Sequence, residues 1–167
     1  RGLGDVYKRQ DEIIAVEDEE LIVNFLDILE NHKMLVENSG LLTVAALKHL
    51  DCKGKRVVSI LSGGNMDIIT LSSVVQHGLI ARGRVFTVAV QLPDRPGELV
   101  NVADIIAKEK GNVIRLEHNQ FVSINRNAAV ELRITLEAFG QEHKNEILKA
   151  LRDKGYDAKE ETPTGMY

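Results

Sequence analysis

The sequence predicts an α/β segment followed by an α+β domain with the ferredoxin-like order β-α-β-β-α-β. Three observations lead to this prediction. Apolar residues recur at helical spacing in the first half, and a short β-branched run among them is followed by glycines. After about residue 84, alternating apolar segments and helical segments follow one another. The 167 residues are enough for one domain or for two small ones.

The first half is predicted to be mainly helical. Apolar spacing over Leu21–Leu29 predicts one helix, with acidic residues at Glu17–Glu20 in the first turn, where the macrodipole favours them. A second helix is predicted over Gly40–Leu50. The run Val57–Leu61, which is apolar except for Ser59, is typical of a strand buried on both faces in a parallel sheet. A helix over Asp67–Ile80 follows it, which completes a βα unit.

The second half opens with a predicted strand over 86–92, because apolar side chains there alternate with small or polar ones. A turn at Pro93–Gly97 leads into a helix, for which Pro96 suits the first turn. Gly111 is predicted as the C-cap of that helix, because glycine adopts the left-handed conformation without steric cost.

Four more elements complete the ferredoxin-like unit. Alternation over 113–118 and over 130–137 predicts two strands, of which the second is the clearest in the chain. Apolar spacing over 147–151 predicts a last helix, which ends near 154–155. An edge strand is predicted over 156–159.

The change of hydrophobic period near residue 83 divides the chain into its predicted parts. Residues 1–10 lack a usable hydrophobic period and do not begin with Met, so we expect a non-native or disordered leader there. The α/β segment is predicted over 11–83 and the ferredoxin-like domain over 84–162. Residues 163–167 are predicted to be a tail.

Composition excludes several classes of partner. The chain has 21 Lys and Arg against 25 Asp and Glu, a net charge of −4, so nucleic acid is not an expected partner. No apolar run approaches the roughly 20 residues of a membrane span. Cys52 is the only cysteine, which points to a reducing, cytoplasmic setting without an internal disulfide. The histidines show no metal-ligand spacing, so no metal site is expected.

The segment Leu61–Asp67 is the first that could carry chemistry. Glycines after a buried strand let backbone N–H groups approach a ligand closely, and Ser62 would lie at the carboxyl end of the strand. The alternative is a tight turn at Gly63–Gly64 followed by Asn65 or Asp67 as a helix cap. The sequence alone leaves both interpretations open.

Two other segments also allow both a ligand-binding and a purely structural interpretation. In Leu92–Leu99, the N–H groups behind Pro96 and Gly97 could hold a carboxylate, or the segment could be a well-made turn that binds nothing. In Glu37–Gly40, Glu37 could face a ligand, or it could simply be an acidic residue of a helix's first turn.

Together and in this order, these segments resemble the carboxyl-terminal part of a threonine ammonia-lyase. That family is dependent on pyridoxal phosphate, has fold type II, and in its short form ends in one ACT domain. The resemblance extends from Asp11 to about Lys159. The matching segments are Asp11–Val16, Glu37–Gly40, Gly54–Val58, Leu61–Asp67, Gly78–Leu79 and Leu92–Leu99.

The resemblance implies a fold and a cofactor site. Residues 11–83 would be the α/β remnant of the catalytic domain that depends on pyridoxal phosphate, and 84–162 an ACT domain. Ser62 would hydrogen-bond the pyridine nitrogen of the cofactor, and a neutral hydroxyl there would weaken the ring as an electron sink. The residues that would shape the remaining pocket wall are Gly63, Gly64, Asn65 and Glu37.

The family's Schiff-base lysine and its glycine-rich phosphate-binding loop are not found in this sequence. Both lie upstream in the full enzyme. We therefore expect no catalytic residue in this chain, and we expect the chain alone neither to retain pyridoxal phosphate nor to deaminate threonine.

The resemblance also implies regulation by an amino acid. ACT domains bind amino acids at the interface between paired domains, so a homo-oligomer with isoleucine or valine as effector is expected. The effector-binding positions carried over are Asp94, Arg95, Pro96, Gly97, Leu99, Asn112 and Val113. Two alternatives remain at this point: a free-standing ACT-type regulator, and a serine dehydratase or racemase of the same fold type.

Overall fold

The computed structural model describes residues 11–119 and 130–163. The chain divides into two compact units, residues 1–78 and 79–167, each of which is described by itself. The predicted leader, 1–10, lies outside the described residues, as does 164–167 of the predicted tail. Within the described ranges, no helix is both long and apolar enough to cross a membrane.

The first unit begins with helix α1, Asp18–Asp27, as its apolar spacing predicts. The Glu17 N–H donates to Glu20 Oε2 at 3.1 Å, which is half of a capping box. A π-helical turn, Ile28–His32, extends α1 and ends at Lys33 in the left-handed conformation. The buried residues of α1 are Leu21, Asn24, Phe25 and Leu26.

The predicted second helix is three short turns rather than one continuous helix. A 3₁₀ turn at Asn38–Leu41, the α-helical turn α2 at Leu42–Ala45, and a 3₁₀ turn at Ala46–His49 follow directly on one another. Only Gly40, Leu41 and Ala45 are buried, so the segment lacks the long apolar stripe that would hold a regular helix.

The strand predicted over 57–61 is wrong. Those residues pair with no strand in the described part of the first unit, and the Val58 and Ile60 side chains are 89% and 72% exposed. The segment is held instead by the Thr43 hydroxyl, which donates to the Ile60 carbonyl at 2.9 Å. A parallel strand needs neighbouring strands for its N–H and C=O groups, and the described residues of this unit supply none.

Helix α3, Ile68–Ala81, agrees with the helix predicted over 67–80. Val74 and Gly78 are buried. A Cβ on Gly78 would lie 2.6 Å from Leu26 Cδ1, so glycine permits the close approach of α1 to α3. At the other end of α3, Ile68 and Ile69 are 77% and 78% exposed.

The second unit has the predicted β-α-β-β-α-β order. Its sheet runs β2-β3-β1-β4, and every neighbouring pair of strands is antiparallel. This is the ferredoxin-like strand order. The elements are β1 Val85–Leu92, α4 Glu98–Lys108, β2 Asn112–Asn119, β3 Val130–Glu137, α5 Gln141–Asp153 and β4 Asp157–Glu161.

Both helices of the second unit pack on one face of this sheet. Alternate residues of β1 and β3 join the apolar faces of α4 and α5 in a single core, as the strand and helix periods predict. The buried residues of this core are Phe86, Val88, Val90, Leu92, Val102, Ile106, Leu132, Ile134, Leu136, Ala138, Ile147, Leu148, Leu151 and Ala158.

Strand β2 contains a bulge that regular alternation does not reveal. Val113 pairs with Leu136 and Arg115 with Thr135, so Ile114 is the extra residue. Regular alternation would put Ile114 on the same face as Leu116. The bulge instead puts Val113 and Leu116 on the core side. At the edge of the sheet, Val113, Ile114 and Leu116 remain 42%, 51% and 42% exposed.

The prediction for Gly111 is wrong by one residue. Lys110, with φ of 63°, takes the left-handed position after α4. The Lys110 and Gly111 N–H groups donate to Ala107 and Ile106, which is the Schellman arrangement. Gly111 is required for a different reason, since a Cβ there would lie 2.9 Å from Ile106 Cγ2. After α5, glycine does hold the left-handed position, at Gly155.

We predict that Lys110→Gly stabilises the second unit by about 0.5–1 kcal/mol, because glycine avoids the steric cost of a left-handed side chain. Gly155→Ala is the matched control and should destabilise by about 1 kcal/mol, because it introduces that same cost. Native-state hydrogen exchange of the β1 and β3 amides measures both. Slower exchange in Gly155→Ala than in the parent chain would contradict this explanation.

Candidate functional site

In the first unit, the structure brings together the segments Glu37–Gly40 and Ser62–Asn65. The Glu37 N–H donates to the Gly63 carbonyl at 3.3 Å. A Cβ on Gly40 would lie 1.7 Å from the Ser62 carbonyl oxygen, so no other residue fits there without displacing the loop. Two segments more than twenty positions apart thus form one surface.

Both the backbone conformation and the lack of space for a side chain favour glycine at position 63. Its φ is +75°, which disfavours residues with a side chain, and a Cβ would lie 2.4 Å from Glu37 Oε1. Gly64 also approaches backbone closely, with its Cβ position 3.1 Å from the Leu35 carbonyl oxygen. The glycines therefore allow the Glu37 carboxylate to lie directly against the loop that follows Ser62.

Two polar groups are presented on this surface. The Glu37 carboxylate accepts a hydrogen bond from Ser39 Oγ at 2.7 Å, a partner that sequence analysis missed although Ser39 is only two residues away. The exposed Ser62 hydroxyl makes no hydrogen bond with the residues that the structure describes. It is therefore able to donate to, or accept from, a ligand atom.

Asp67 caps helix α3. Its Oδ1 accepts hydrogen bonds from the N–H groups of Ile69 and Thr70, each at 3.0 Å, and its Oδ2 accepts one from Thr70 Oγ1 at 2.5 Å. The bond from the Thr70 hydroxyl, then that from the Thr70 N–H, lowers the pKa of Asp67 below its ordinary value. Of the two caps that the sequence allowed, the structure contains Asp67.

The lowered pKa predicts acid sensitivity at the start of α3. Because the folded pKa lies below the unfolded one, the stabilising contribution is present above the unfolded pKa of about 4 and is lost as the pH falls through the folded pKa. Amide exchange at Ile69 and Thr70, followed between pH 5 and 2, should therefore accelerate beyond the intrinsic pH effect. Asp67→Asn should keep the cap and lose this acceleration. An equal acceleration in Asp67→Asn would show that another group is responsible.

In the second unit, four of the predicted effector residues, Asp94 to Gly97, lie in the connection from β1 to α4, and a fifth, Leu99, lies in the first turn of α4. Arg95, Pro96, Gly97 and Glu98 form a turn in which the Glu98 N–H donates to the Arg95 carbonyl at 3.3 Å. Gly97, with φ of 97°, takes the position of a type II turn that favours glycine, and it is also the N-cap of α4. Pro96 therefore precedes the helix. The prediction that Pro96 lies in the first turn of this helix is wrong.

The other two predicted effector residues lie at the opposite end of the sheet. Leu92 of β1 and Asn119 of β2 both pair near the first residue of β3, Val130. Asn112, in contrast, pairs with Glu137, the last residue of β3. Strands β1 and β2 are therefore parallel, and about seven residues, or roughly 23 Å, separate Asn112 from the level of Leu92. Within one chain, Asn112 and Val113 do not meet the 93–97 turn.

Three other features were candidates for a functional site: metal-ligating side chains, the cysteine, and a surface groove. The described residues contain no group of three or more His, Cys, Asp or Glu side chains that could hold a metal ion. Cys52 is a free, partly buried thiol. A groove of about 530 Å³ between α4 and α5 has both acidic and basic side chains in its wall, including Asp104, Lys108 and Asp153.

Comparison with known proteins identifies relatives across both units. An L-threonine ammonia-lyase of Geobacter sulfurreducens is 39% identical over 149 residues, covering 87% of this chain and 37% of the relative. One of Thermotoga maritima is 34% identical over 155 residues, covering 92% and 39%. The chain is a relative of the threonine ammonia-lyases. It spans less than two fifths of the length of these curated relatives. No family model matches the sequence.

Solved structures show weaker similarity. The ACT domain of a prephenate dehydrogenase from Bacillus anthracis is 22% identical, with a TM-score of 0.35 over 44% of this chain and 99% of that one. A protein of Galdieria sulphuraria is 13% identical, with a TM-score of 0.39 over 90% and 94%. These scores are too low to carry an argument, so the fold of the second unit rests on its own strand order.

Proposed function

We propose that this chain is the carboxyl-terminal part of a cytoplasmic threonine ammonia-lyase, which converts threonine to 2-oxobutanoate and ammonia. The observation that carries the proposal is the similarity to the Geobacter sulfurreducens lyase, which extends over 87% of the chain. The meeting of Glu37–Gly40 with Ser62–Asn65 supports it, because both segments belong to the resemblance and they form one surface.

The residues of that surface fit one side of pyridoxal phosphate. The Ser62 hydroxyl is exposed and has no partner among the described residues, so it is free to hydrogen-bond the pyridine nitrogen. The close packing at Gly40 and Gly63 holds the Ser62 loop in place against Glu37. When bound, pyridoxal phosphate would supply an electron sink for elimination, and the neutral Ser62 hydroxyl would keep that sink weak.

This chain does not supply the rest of such a site. The exposed apolar side chains of Val58 and Ile60 are typical of a strand that packs within a larger sheet. The Schiff-base lysine and the phosphate loop would come from the part of the relatives that this chain does not span. We therefore propose that the chain alone neither holds the cofactor nor catalyses the reaction.

A chimera tests this proposal. The matching segment of the Geobacter sulfurreducens lyase is replaced by residues 11–163 of this chain, and threonine deamination and cofactor absorbance are measured. We expect an active chimera, and about a tenfold to hundredfold lower kcat for Ser62→Ala, because a hydrogen bond to the ring is lost. Ser59→Ala is the control, because the Ser59 hydroxyl donates to the Thr43 carbonyl and makes no hydrogen bond with Glu37 or Ser62. A folded chimera that binds the cofactor without activity would contradict the proposal.

We also propose that the second unit is an ACT domain whose effector is a branched-chain amino acid. The 93–97 turn and the start of α4 would hold the carboxylate of the effector, since N–H groups at a helix N-terminus favour anions. The exposed side chain of Leu99 offers apolar contact to a branched side chain. Isoleucine and valine are therefore the first ligands to test.

The strand directions suggest how such a site is completed. Asn112 lies roughly 23 Å from the 93–97 turn of its own chain, but antiparallel pairing of β2 with the β2 of a second copy would reverse that direction. The partner's Asn112 and Val113 would then lie at the end of the sheet where the turn is. The exposed side chains of Val113, Ile114 and Leu116 on the outer strand favour such a contact.

We predict that isoleucine or valine gives heat on titration into the dimeric chain, and that Ile114→Lys abolishes both dimer and heat. A lysine on the edge strand of each copy disfavours edge-to-edge strand pairing. Ile13→Lys, at an isoleucine that is 78% exposed in the other unit, is the control and should change neither. Sedimentation and calorimetry measure the two effects. A monomeric variant that still binds isoleucine would contradict the shared site.

A further inference from the structure

A hydrogen bond joins the start of β4 to the start of α4. The Tyr156 hydroxyl donates to Glu98 Oε2 at 3.0 Å, across 58 positions of sequence. Tyr156 follows the left-handed Gly155 that ends α5, and its ring packs against the core of the second unit. Glu98 is the first residue of α4 and comes directly after Gly97. The hydrogen bond therefore holds the Glu98 side chain at a position directly after the 93–97 turn.

The position of Glu98 makes its side chain a competitor for the effector's carboxylate. Helix α4 has no side-chain cap, and the N–H groups of Leu99 and Val100 have no hydrogen-bond partner among the described residues. A carboxylate at the first helical position is attracted to these groups by the macrodipole. In this structure, the Glu98 carboxylate is bound to Tyr156 instead.

We propose that Tyr156 is a positioning residue of the effector site: it holds the Glu98 carboxylate on the β4 side of α4 and so leaves the helix N-terminus open to an amino acid's carboxylate. This inference rests on the proposed effector function. It adds a residue that makes no contact with the effector and that lies outside the turn and the β2 strand.

The protonation state of the phenol agrees with this role. Burial raises the pKa of Tyr156, and the hydrogen bond with Glu98 and the charge of Glu98 raise it further, against a smaller lowering by a hydrogen bond with Asn101. The ordinary pKa of tyrosine is about 10, so the hydroxyl remains a donor at neutral pH. Glu98 therefore keeps its partner under the conditions in which an effector would bind.

Four forms of the full chain test the inference by calorimetric titration with isoleucine and valine. Tyr156→Phe releases Glu98, and we expect about fivefold weaker binding, the effect of roughly 1 kcal/mol from a competing charge at a helix terminus. Glu98→Gln should bind at least as tightly as the parent chain. The double variant should bind like Glu98→Gln, because no carboxylate remains for Tyr156 to hold.

The outcomes separate this inference from the proposed function. If the parent chain binds neither amino acid, the effector function fails and the inference with it. If the parent binds and Tyr156→Phe binds equally well, only the inference is overturned. If the double variant is as weak as Tyr156→Phe, Tyr156 acts through packing and not through Glu98, which also overturns the inference.

Discussion

The pairing of β1 with β3 is the interaction on which the second unit depends. Eight residue pairs join the two strands, from Val85 with Glu137 to Leu92 with Val130. Because β1 also pairs with β4, and β3 with β2, every strand is attached to the sheet through this pair. The same pairing fixes the strand directions, so it decides that the 93–97 turn and Asn112 lie at opposite ends of the sheet.

The first unit depends on a different constraint, the close approach of two loops. At Gly40 and Gly63, even one additional carbon would collide with the opposite loop. The resemblance identified both segments from their residues but gave no reason for the glycines. The structure supplies one, since each glycine faces the other segment: Gly40 faces the Ser62 carbonyl, and Gly63 faces Glu37. The two motifs are therefore halves of a single contact.

Local patterns predicted most of the scaffold and failed where distant partners decide the structure. The acidic first turn of α1 and the alternation of β3 are local, and both agree with the structure. The strand predicted over 57–61 needed neighbouring strands that the described residues of the first unit do not supply. Gly111 was assigned to a cap, whereas its space is limited by Ile106 and Ile147, the second of which lies on another helix. Sequence period cannot reveal an extra residue such as Ile114, because the bulge is defined only against β3.

The candidate site residues lie where periodicity is least informative, on exposed turns and at a sheet edge, so their assignment came from the resemblance. The structure nevertheless adds a constraint to the proposed effector site. A site built from the turn of one chain and the partner's Asn112 exists only in the dimer, so effector binding and dimerisation are linked. Linkage is reciprocal: the effector must strengthen the dimer by the same factor by which dimerisation strengthens effector binding. For the proposed shared site, the apparent affinity for isoleucine or valine is therefore expected to depend on the concentration of the chain itself, which a site contained within one chain would not show.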